Sequence, residues 1–198
     1  MMKTKFLGVV FFLTVLISNA QVPANAEDVS PLLIGETLPD GSLLDVNGAT
    51  VLLQELIAEK PTVLVFYRGG WCPYCNRQLS SLASAEAEIL ELGYQIVAVS
   101  PDNYMQLKPT KEEALVNYKV FSDPGAKLIQ DVGIGFLTPE KAKPYIEKKT
   151  EQEATNILPV PTVFVVDKSG KIMFQYINID YKQRLSDTVL LAVLTDLN

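Results

Sequence analysis

Residues 62–67 (TVLVFY) form an unbroken run of β-branched, aliphatic and aromatic side chains, and five residues later the chain reads Cys72-Pro73-Tyr74-Cys75. A run with no polar alternation predicts a strand covered on both faces, as in the middle of a parallel sheet. From the cysteines onward Leu79, Leu82, Ala83, Ile89 and Leu90 repeat on one helical face, and Gly93 supplies a stop after Leu92. Residues 95–100 (QIVAVS) read as the next strand, completing a β-α-β unit that pairs in parallel with a right-handed crossover. Both cysteines therefore sit at one spot, where a buried strand ends and a helix begins. Pro39-Asp40-Gly41 and Asn47-Gly48 mark turns before this unit, and residues 51–57 read as a short strand or a helical turn. After it, residues 111–118 and 126–132 read as short helices around a strand at 120–122. Residues 162–167 and 171–177 read as an antiparallel hairpin closed by Lys168-Ser169-Gly170. A last helix is expected over 185–197, with Leu185, Val189, Val193 and Leu197 at helical spacing.

The chemistry open to such a chain is narrow. Among its 198 residues there is no histidine, which excludes Ser-His-Asp and Cys-His nucleophile activation and His-liganded metals. Two cysteines alone fall short of the four ligands of a structural zinc. Redox chemistry of a CxxC pair remains. At a helix N-terminus unpaired N–H groups and the positive end of the helix dipole favour a thiolate over a thiol. Lowering a thiol pKa from about 8.5 to about 7 raises the thiolate fraction at neutral pH from about 3% to about one half, for about 2 kcal/mol. Pro73 suits the first helical position, where a missing N–H costs nothing. Cys72 is expected to be the exposed nucleophile, and Cys75, one turn inward, the shielded thiol that attacks a mixed disulfide. The alternative is a permanent structural bridge in a non-catalytic binding domain, although so small a loop restrains little unfolded-chain entropy.

Supporting residues have two readings each. Trp71 is either core or an apolar platform against which substrate packs. Arg68 is either a solvated charge or a cation that lowers the thiolate pKa and binds an anionic or peroxide group. The charged stretch 138–153, with Glu140, Lys141, Lys143, Glu147, Lys148, Lys149, Glu151 and Glu153, reads as an exposed helix face that also has the position to flank the site. Seventeen Lys and Arg against 23 Asp and Glu give a net charge of −6, a poor surface for nucleic acid or anionic lipid.

The first 26 residues read as an address. Two lysines within residues 1–5 precede the apolar run 6–17, and small residues stand at Ser18, Ala20, Ala24 and Ala26, the layout of a secretory signal peptide cleaved after 20 or after 26. A membrane anchor is the competing reading, but Ser18, Asn19, Gln21, Pro23 and Asn25 interrupt the roughly 20 apolar residues that a span needs. The expectation is an exported protein, periplasmic or extracellular, with no stable span in its mature form and its domain over residues 27–198. A CxxC pair in such a compartment lives where disulfides persist.

TVLVFYRGGWCPYCNRQL, then FSDPGAKLIQDVGI, then VPTVFVVDKSGKI together resemble the alkyl hydroperoxide reductase/thiol-specific antioxidant group, a peroxiredoxin-like branch of the thioredoxin-fold superfamily. The resemblance runs from about Ile34 to Asn198. It implies an α/β thioredoxin-like fold, a central mixed sheet flanked by helices, with an N-terminal extension and a helical insertion before a strand that begins at a cis proline. In the peroxidases of this group a Pro lies seven residues before the peroxidatic Cys, a Thr or Ser three before, and an Arg on a later strand. Counted from Cys75 these places hold Arg68 and Cys72, counted from Cys72 they hold Val65 and Gly69, and the later Arg position holds Pro161. Phe66-Tyr67 keeps the apolar pair that precedes the motif in the Cys75 frame. The thioredoxin side matches better, with Trp71 directly before CxxC and Val160-Pro161 in the place of the cis proline and the residue before it, whose backbone receives an extended substrate. The resemblance thus implies a thiol-disulfide oxidoreductase with no cofactor beyond its own Cys72–Cys75 disulfide, acting on protein or small-molecule disulfides and thiols and recharged by a redox partner. The alternative it implies is an antioxidant thiol peroxidase acting on peroxides, with Cys75 oxidised to a sulfenic acid and Cys72 resolving.

Overall fold

The computed structural model describes residues 21–198, and residues 1–20 of the leader expected over 1–26 lie outside the described residues. After a 3-10 turn at Ala26–Asp28, strands β1 (Ser42–Leu44) and β2 (Thr50–Leu52) pair antiparallel, and helix α1 (Leu53–Glu59) follows at once. Both readings of residues 51–57 therefore hold, strand first and helix after. The expected β-α-β unit comes next as β3 (Thr62–Phe66), α2 (Pro73–Ser84), α3 (Glu86–Glu91) and β4 (Gln95–Ser100). Helix α4 (Leu107–Ala114), β5 (Lys119–Ser122) and α5 (Lys127–Asp131) continue the alternation. An insertion built of β6 (Gly135–Leu137), α6 (Lys143–Thr150) and β7 (Ile157–Pro159) then precedes the hairpin β8 (Thr162–Val166) and β9 (Ile172–Ile177) and the last helix, α7 (Asp187–Asp196). Among the described residues no helix is long and apolar enough to cross a membrane.

Seven strands form one mixed sheet in the order β2-β1-β5-β4-β3-β8-β9, and β6 and β7 make a separate ribbon. At its centre β3 runs parallel to β4, from Thr62 opposite Gln95 to Phe66 opposite Val99, and antiparallel to β8 on its other side. Every residue of β3, β4 from Gln95 to Ser100, and β8 is buried. Side-chain alternation divides that burial between two layers. Val63 and Val65 pack with Leu79, Leu82 and Ile89 of the cysteine-bearing helices and with Leu190 and Leu194 of α7. Leu64 and Phe66 pack on the opposite face with Leu53, Ile57 and Leu128. Each such side chain withdrawn from water contributes about 1.5 to 3 kcal/mol, so β3 is pinned from both sides and the chain leaving it has one direction to go. This is the thioredoxin-like architecture with a helical insertion.

Four details depart from expectation. The helix after the cysteines is two helices, broken at Ala85. Ser84 turns its hydroxyl back on the Ser80 carbonyl at 3.1 Å, a bond that bends helices, and the Ala85 N–H closes on Ser81. Helix α4 starts at Leu107 rather than Lys111, because Asn103 caps the preceding turn through the Met105 N–H and Pro109 falls in the first turn, where its missing N–H is no loss. In α7 the buried face is Leu190 and Leu194, while Val189 is exposed. Leu185 lies before the helix, whose N-cap is Ser186, so a periodicity counted from Leu185 runs out of phase. Finally, no peptide bond among the described residues is cis, so Val160-Pro161 is trans. Its backbone is held extended between β7 and β8, with the Val160 N–H donating to the Ile134 carbonyl at 2.9 Å and the Val160 carbonyl accepting from the Thr162 hydroxyl at 2.9 Å.

Candidate active site

The chain leaves β3 through Tyr67, whose N–H still donates to Val99 at 3.0 Å, and turns into α2 over Arg68, Gly69, Gly70 and Trp71. Two glycines are required here. Gly69 has φ +148°, and a Cβ on it would stand 2.5 Å from Asp102 Oδ1; one on Gly70 would stand 1.9 Å from the Thr110 hydroxyl. The tight path lets Asp102, at the end of β4, accept the Gly70 N–H at 2.8 Å, while Asn76 donates to the Gly70 carbonyl at 2.8 Å. The turn is thereby fixed from the sheet on one side and from the helix on the other. Cys72 is the N-cap of α2 and Pro73 its first residue, with the N–H groups of Cys75 and Asn76 returning to the Cys72 carbonyl at 2.9 and 3.1 Å.

The two thiols are driven apart. Cys72 is held down at about 6, first by hydrogen bonding to the Cys75 thiol, then by the Cys75 N–H and the nearby Arg68 and Arg184, against the opposing effect of burial. Cys75 is pushed well above the ordinary range by burial and by the Cys72 charge. One thiolate and one thiol therefore coexist at neutral pH, with the charge on the helix cap. The expectation that Cys72 is exposed needs correcting, since it is only 2% exposed and Cys75 is fully buried. Cys72 and Cys75 belong to the apolar cluster against which Trp71 and Tyr74 pack, and those two rings are met in turn by side chains from distant segments. The Arg68 guanidinium lies 5.0 Å from the centroid of a Trp71 ring and 4.3 Å from that of Tyr181, Tyr181 meets Tyr74 edge to face at 5.7 Å, and Tyr145 of α6 meets Trp71 edge to face at 6.3 Å.

These contacts sort the residues anticipated from sequence. Arg68 is not a solvated charge: it is 8% exposed and stacked between two rings. Trp71 is half-buried and borders the third apolar cluster, which contains Val160. The charged insertion does flank the site, through Tyr145. Val160 and Pro161 are buried, the Val160 N–H is taken by the Ile134 carbonyl and the Val160 carbonyl already accepts from the Thr162 hydroxyl, so no free N–H remains there for a substrate strand. Two further residues belong to the site. Arg184, in the loop before α7, brings its Nη2 to 3.5 Å from Cys75 Sγ and is held by bonds from Nη1 to the carbonyls of Tyr181 and Gln183. Asp102 is pushed up to about 7 by burial, against the pull of the Gly70 N–H and the Trp71 indole, with the Cys72 charge adding to the rise. A Ser-Pro-Asp run after a strand carries no sequence signal for such a role, and nothing near Arg184 in sequence points to a cysteine 109 positions earlier. Asp102 also lines a cavity of about 900 Å³ of mixed polar and apolar character, with Asn103, Gln106, Ile146, Thr150 and Ile157 among its other walls.

Comparison with known proteins bears on this arrangement. The family model described as AhpC/TSA family matches residues 34–175. Peroxiredoxin bcp1 of Schizosaccharomyces pombe is 29% identical over 112 residues, 56% of this chain and 57% of that protein, so the match spans little more than half of the relative. Thiol-disulfide oxidoreductase ResA of Bacillus thuringiensis (strain Al Hakam) is 24% identical over 159 residues, 80% of this chain and 78% of that protein. Among solved structures, Peroxidoxin BcpB from Mycobacterium tuberculosis superposes with a TM-score of 0.65 at 21% identity, covering 83% of this chain and 97% of that one. Reduced Prx3 from Vibrio vulnificus superposes with a TM-score of 0.70 at 18% identity, covering 83% and 99%. At these identities the superpositions speak for the shared fold.

Proposed function

The chain belongs to the AhpC/TSA family, and with relatives named as thiol-disulfide oxidoreductases and as peroxiredoxins on either side of it we propose that it works as the former, cycling Cys72 and Cys75 between dithiol and disulfide. The observation that carries this reading is the placement of the pair at the start of α2, Cys72 capping the helix and Cys75 fully buried one turn in beside Arg184, a geometry that favours charge on Cys72 over Cys75. The Cys72 thiolate attacks one sulfur of a substrate disulfide, forming a mixed disulfide and expelling the other half as a thiolate. That departing thiolate takes the Cys75 proton. The Cys75 sulfur then attacks Cys72 Sγ, closes the Cys72–Cys75 bond and releases the second half of the substrate, so two electrons have passed from the dithiol to the substrate. A redox partner returns the protein to its dithiol form. Equilibration with glutathione buffers tests the cycle: a structural bridge resists reduction below about −300 mV, whereas a working pair equilibrates above that value.

A second reading has one observation of its own. The Arg184 guanidinium lies 3.5 Å from Cys75 Sγ, a cation beside the thiol such as the peroxidase motif supplies from its later strand, reaching the site here from the loop before α7. In that reading Cys75 is oxidised by peroxide and Cys72 resolves.

For location we propose export, on the charged, apolar and small-residue order of the leader. Of the two cleavage points the packing favours the one after Ala20. The Leu137 N–H of β6 donates to the Pro23 carbonyl at 2.8 Å, and Ala26 packs on the cluster of Phe136 and Leu158. Cleavage after Ala26 removes both contacts.

A further inference from the structure

Two cations stand at the dithiol, Arg184 with its Nη2 3.5 Å from Cys75 Sγ and Arg68 among the charges that lower the Cys72 thiol, and two more lie on the tyrosines beyond them. Besides Arg68 and Arg184, Arg77 lies with its guanidinium 5.6 Å from the Tyr74 ring centroid and Lys182 with its ammonium 5.9 Å from that of Tyr181, and those two tyrosines touch each other. Among the described residues none of the four is ion-paired: the salt bridges are Lys119–Glu59, Lys127–Asp131 and Lys143–Glu140. Of the acids, Asp180 in the same loop and Asp187 at the start of α7 accept from the backbone N–H groups of Lys182 and Thr188, and Asp102 accepts from the Gly70 N–H. In a chain of net charge −6 this is a local excess of positive charge, and a guanidinium as buried as that of Arg68 is costly to leave without a counter-charge. The Cys72 thiolate supplies that counter-charge in the dithiol form. A disulfide carries none, so oxidation leaves Arg68 and Arg184 beside an uncharged bond.

We propose that the oxidised protein is recharged by a small anionic thiol, one bearing carboxylate or sulfonate groups that Arg68 and Arg184 hold against the Cys72–Cys75 bond, with Arg77 and Lys182 adding positive charge farther out. This rests on the dithiol reading above. A small molecule suits the corner better than a protein strand, because Cys72 is 2% exposed and the Val160 N–H, which an extended strand would need as a donor, already serves the Ile134 carbonyl. The thiolate of the reductant attacks Cys72 Sγ, and the Cys72–Cys75 bond breaks with Cys75 leaving and taking a proton. A second reductant thiolate attacks the reductant sulfur of the mixed disulfide, releasing the Cys72 thiolate. Two reductant thiols become one disulfide, and the protein gains two electrons.

The test compares three probe thiols of similar size on the oxidised full chain: 2-mercaptoethanesulfonate (anionic), 2-mercaptoethanol (neutral) and cysteamine (cationic). Each rate, read by acid quench and alkylation, is divided by that of the same thiol on free 2-hydroxyethyl disulfide to remove intrinsic reactivity. At low salt the anionic probe should lead the neutral one by about tenfold and the cationic probe should trail by about tenfold, with the three converging toward about 1 M salt. The R77Q/K182Q variant, altered at two exposed positions, should lose at least about threefold of the anion preference. Equal normalised rates, a preference for cysteamine, or a preference untouched by salt and by the variant overturns the proposal while the dithiol cycle stands. A bond that none of the three thiols reduces overturns the cycle as well.

Discussion

Arg184 Nη2 donates to Cys75 Sγ across 3.5 Å, tying the loop before the last helix to a cysteine in the first turn of α2. The same guanidinium lowers the pKa of both thiols. Arg184→Gln should therefore move the Cys72 titration upward and slow its alkylation by iodoacetamide at neutral pH by about threefold to tenfold, with Arg184→Lys recovering part of the loss. A titration midpoint identical to that of the parent protein would show the contact to be idle.

Asp102 carries a second consequence, in stability. A carboxyl raised from 3.8 to about 7 favours the folded state fully below pH 3.8, and that contribution is lost as pH climbs through about 7. Asp123, raised by burial to about 6, acts in the same direction and stays in place in both proteins, so the comparison is by difference. Asp102→Asn, whose amide oxygen still accepts the Gly70 N–H, should flatten the decline of stability between about pH 4 and 7 and gain on the parent above pH 7. Urea midpoints across that range read the result, and parallel curves would remove Asp102 from the titration.

The Gly70 turn is a packing constraint that a single methyl group tests. Gly70→Ala drives a Cβ onto the Thr110 hydroxyl, and overpacking of this kind costs about 1 to 3 kcal/mol. Thr110→Ala should recover part of that cost in the double variant, a coupling that independent sites would not show.

What was legible in the sequence followed local physics. The uninterrupted TVLVFY run predicts a strand buried on both faces, and β3 is one; QIVAVS and the TVFVVD hairpin follow for the same reason. The CxxC pair at a strand-to-helix corner, with Pro73 at the first helical position, needs only neighbours in sequence. The partners of that corner do not. Arg184, Tyr181 and Asp102 reach it through tertiary packing, and a lone Arg or Asp in a loop reads as a solvated charge until the fold closes. Arg68 is ambiguous in the sequence for that reason, since Tyr181, one of the rings it stacks on, lies more than 100 positions away, and the burial of Cys72 likewise depends on a core assembled from several segments. In α7 the phase of the apolar face depended on where the helix begins, which Ser186 decides by capping the Val189 N–H.

Processing of the leader makes a prediction of one number. If Pro23 and Ala26 belong to the mature domain, as their contacts with β6 indicate, intact mass spectrometry of protein recovered after export should give a chain starting at Gln21. A chain starting at Glu27 would mean that the domain forgoes those contacts, and one that keeps residues 1–20 and partitions with membranes would make the segment an anchor.

The two enzymatic readings separate on which sulfur attacks. A peroxide breaks with charge developing on its leaving oxygen, so a fast peroxidase aims donors there, and losing one such donor typically costs about 10² to 10³ in rate. The Thr and the later-strand Arg of the peroxidase motif are both missing in the Cys75 frame, Cys75 is fully buried, and its thiol is pushed up rather than down. Arg184 alone offsets part of this. Hydrogen peroxide should therefore oxidise the reduced protein orders of magnitude more slowly than a small disulfide does under matched conditions. Cys75→Ser, with its nucleophile intact and no resolving thiol, should accumulate a mixed disulfide on Cys72, whereas Cys72→Ser should trap none. If Cys72→Ser instead consumes one equivalent of peroxide rapidly and builds a sulfenic acid on Cys75, then Arg184 is activating the buried thiol, and the peroxidase reading replaces the oxidoreductase.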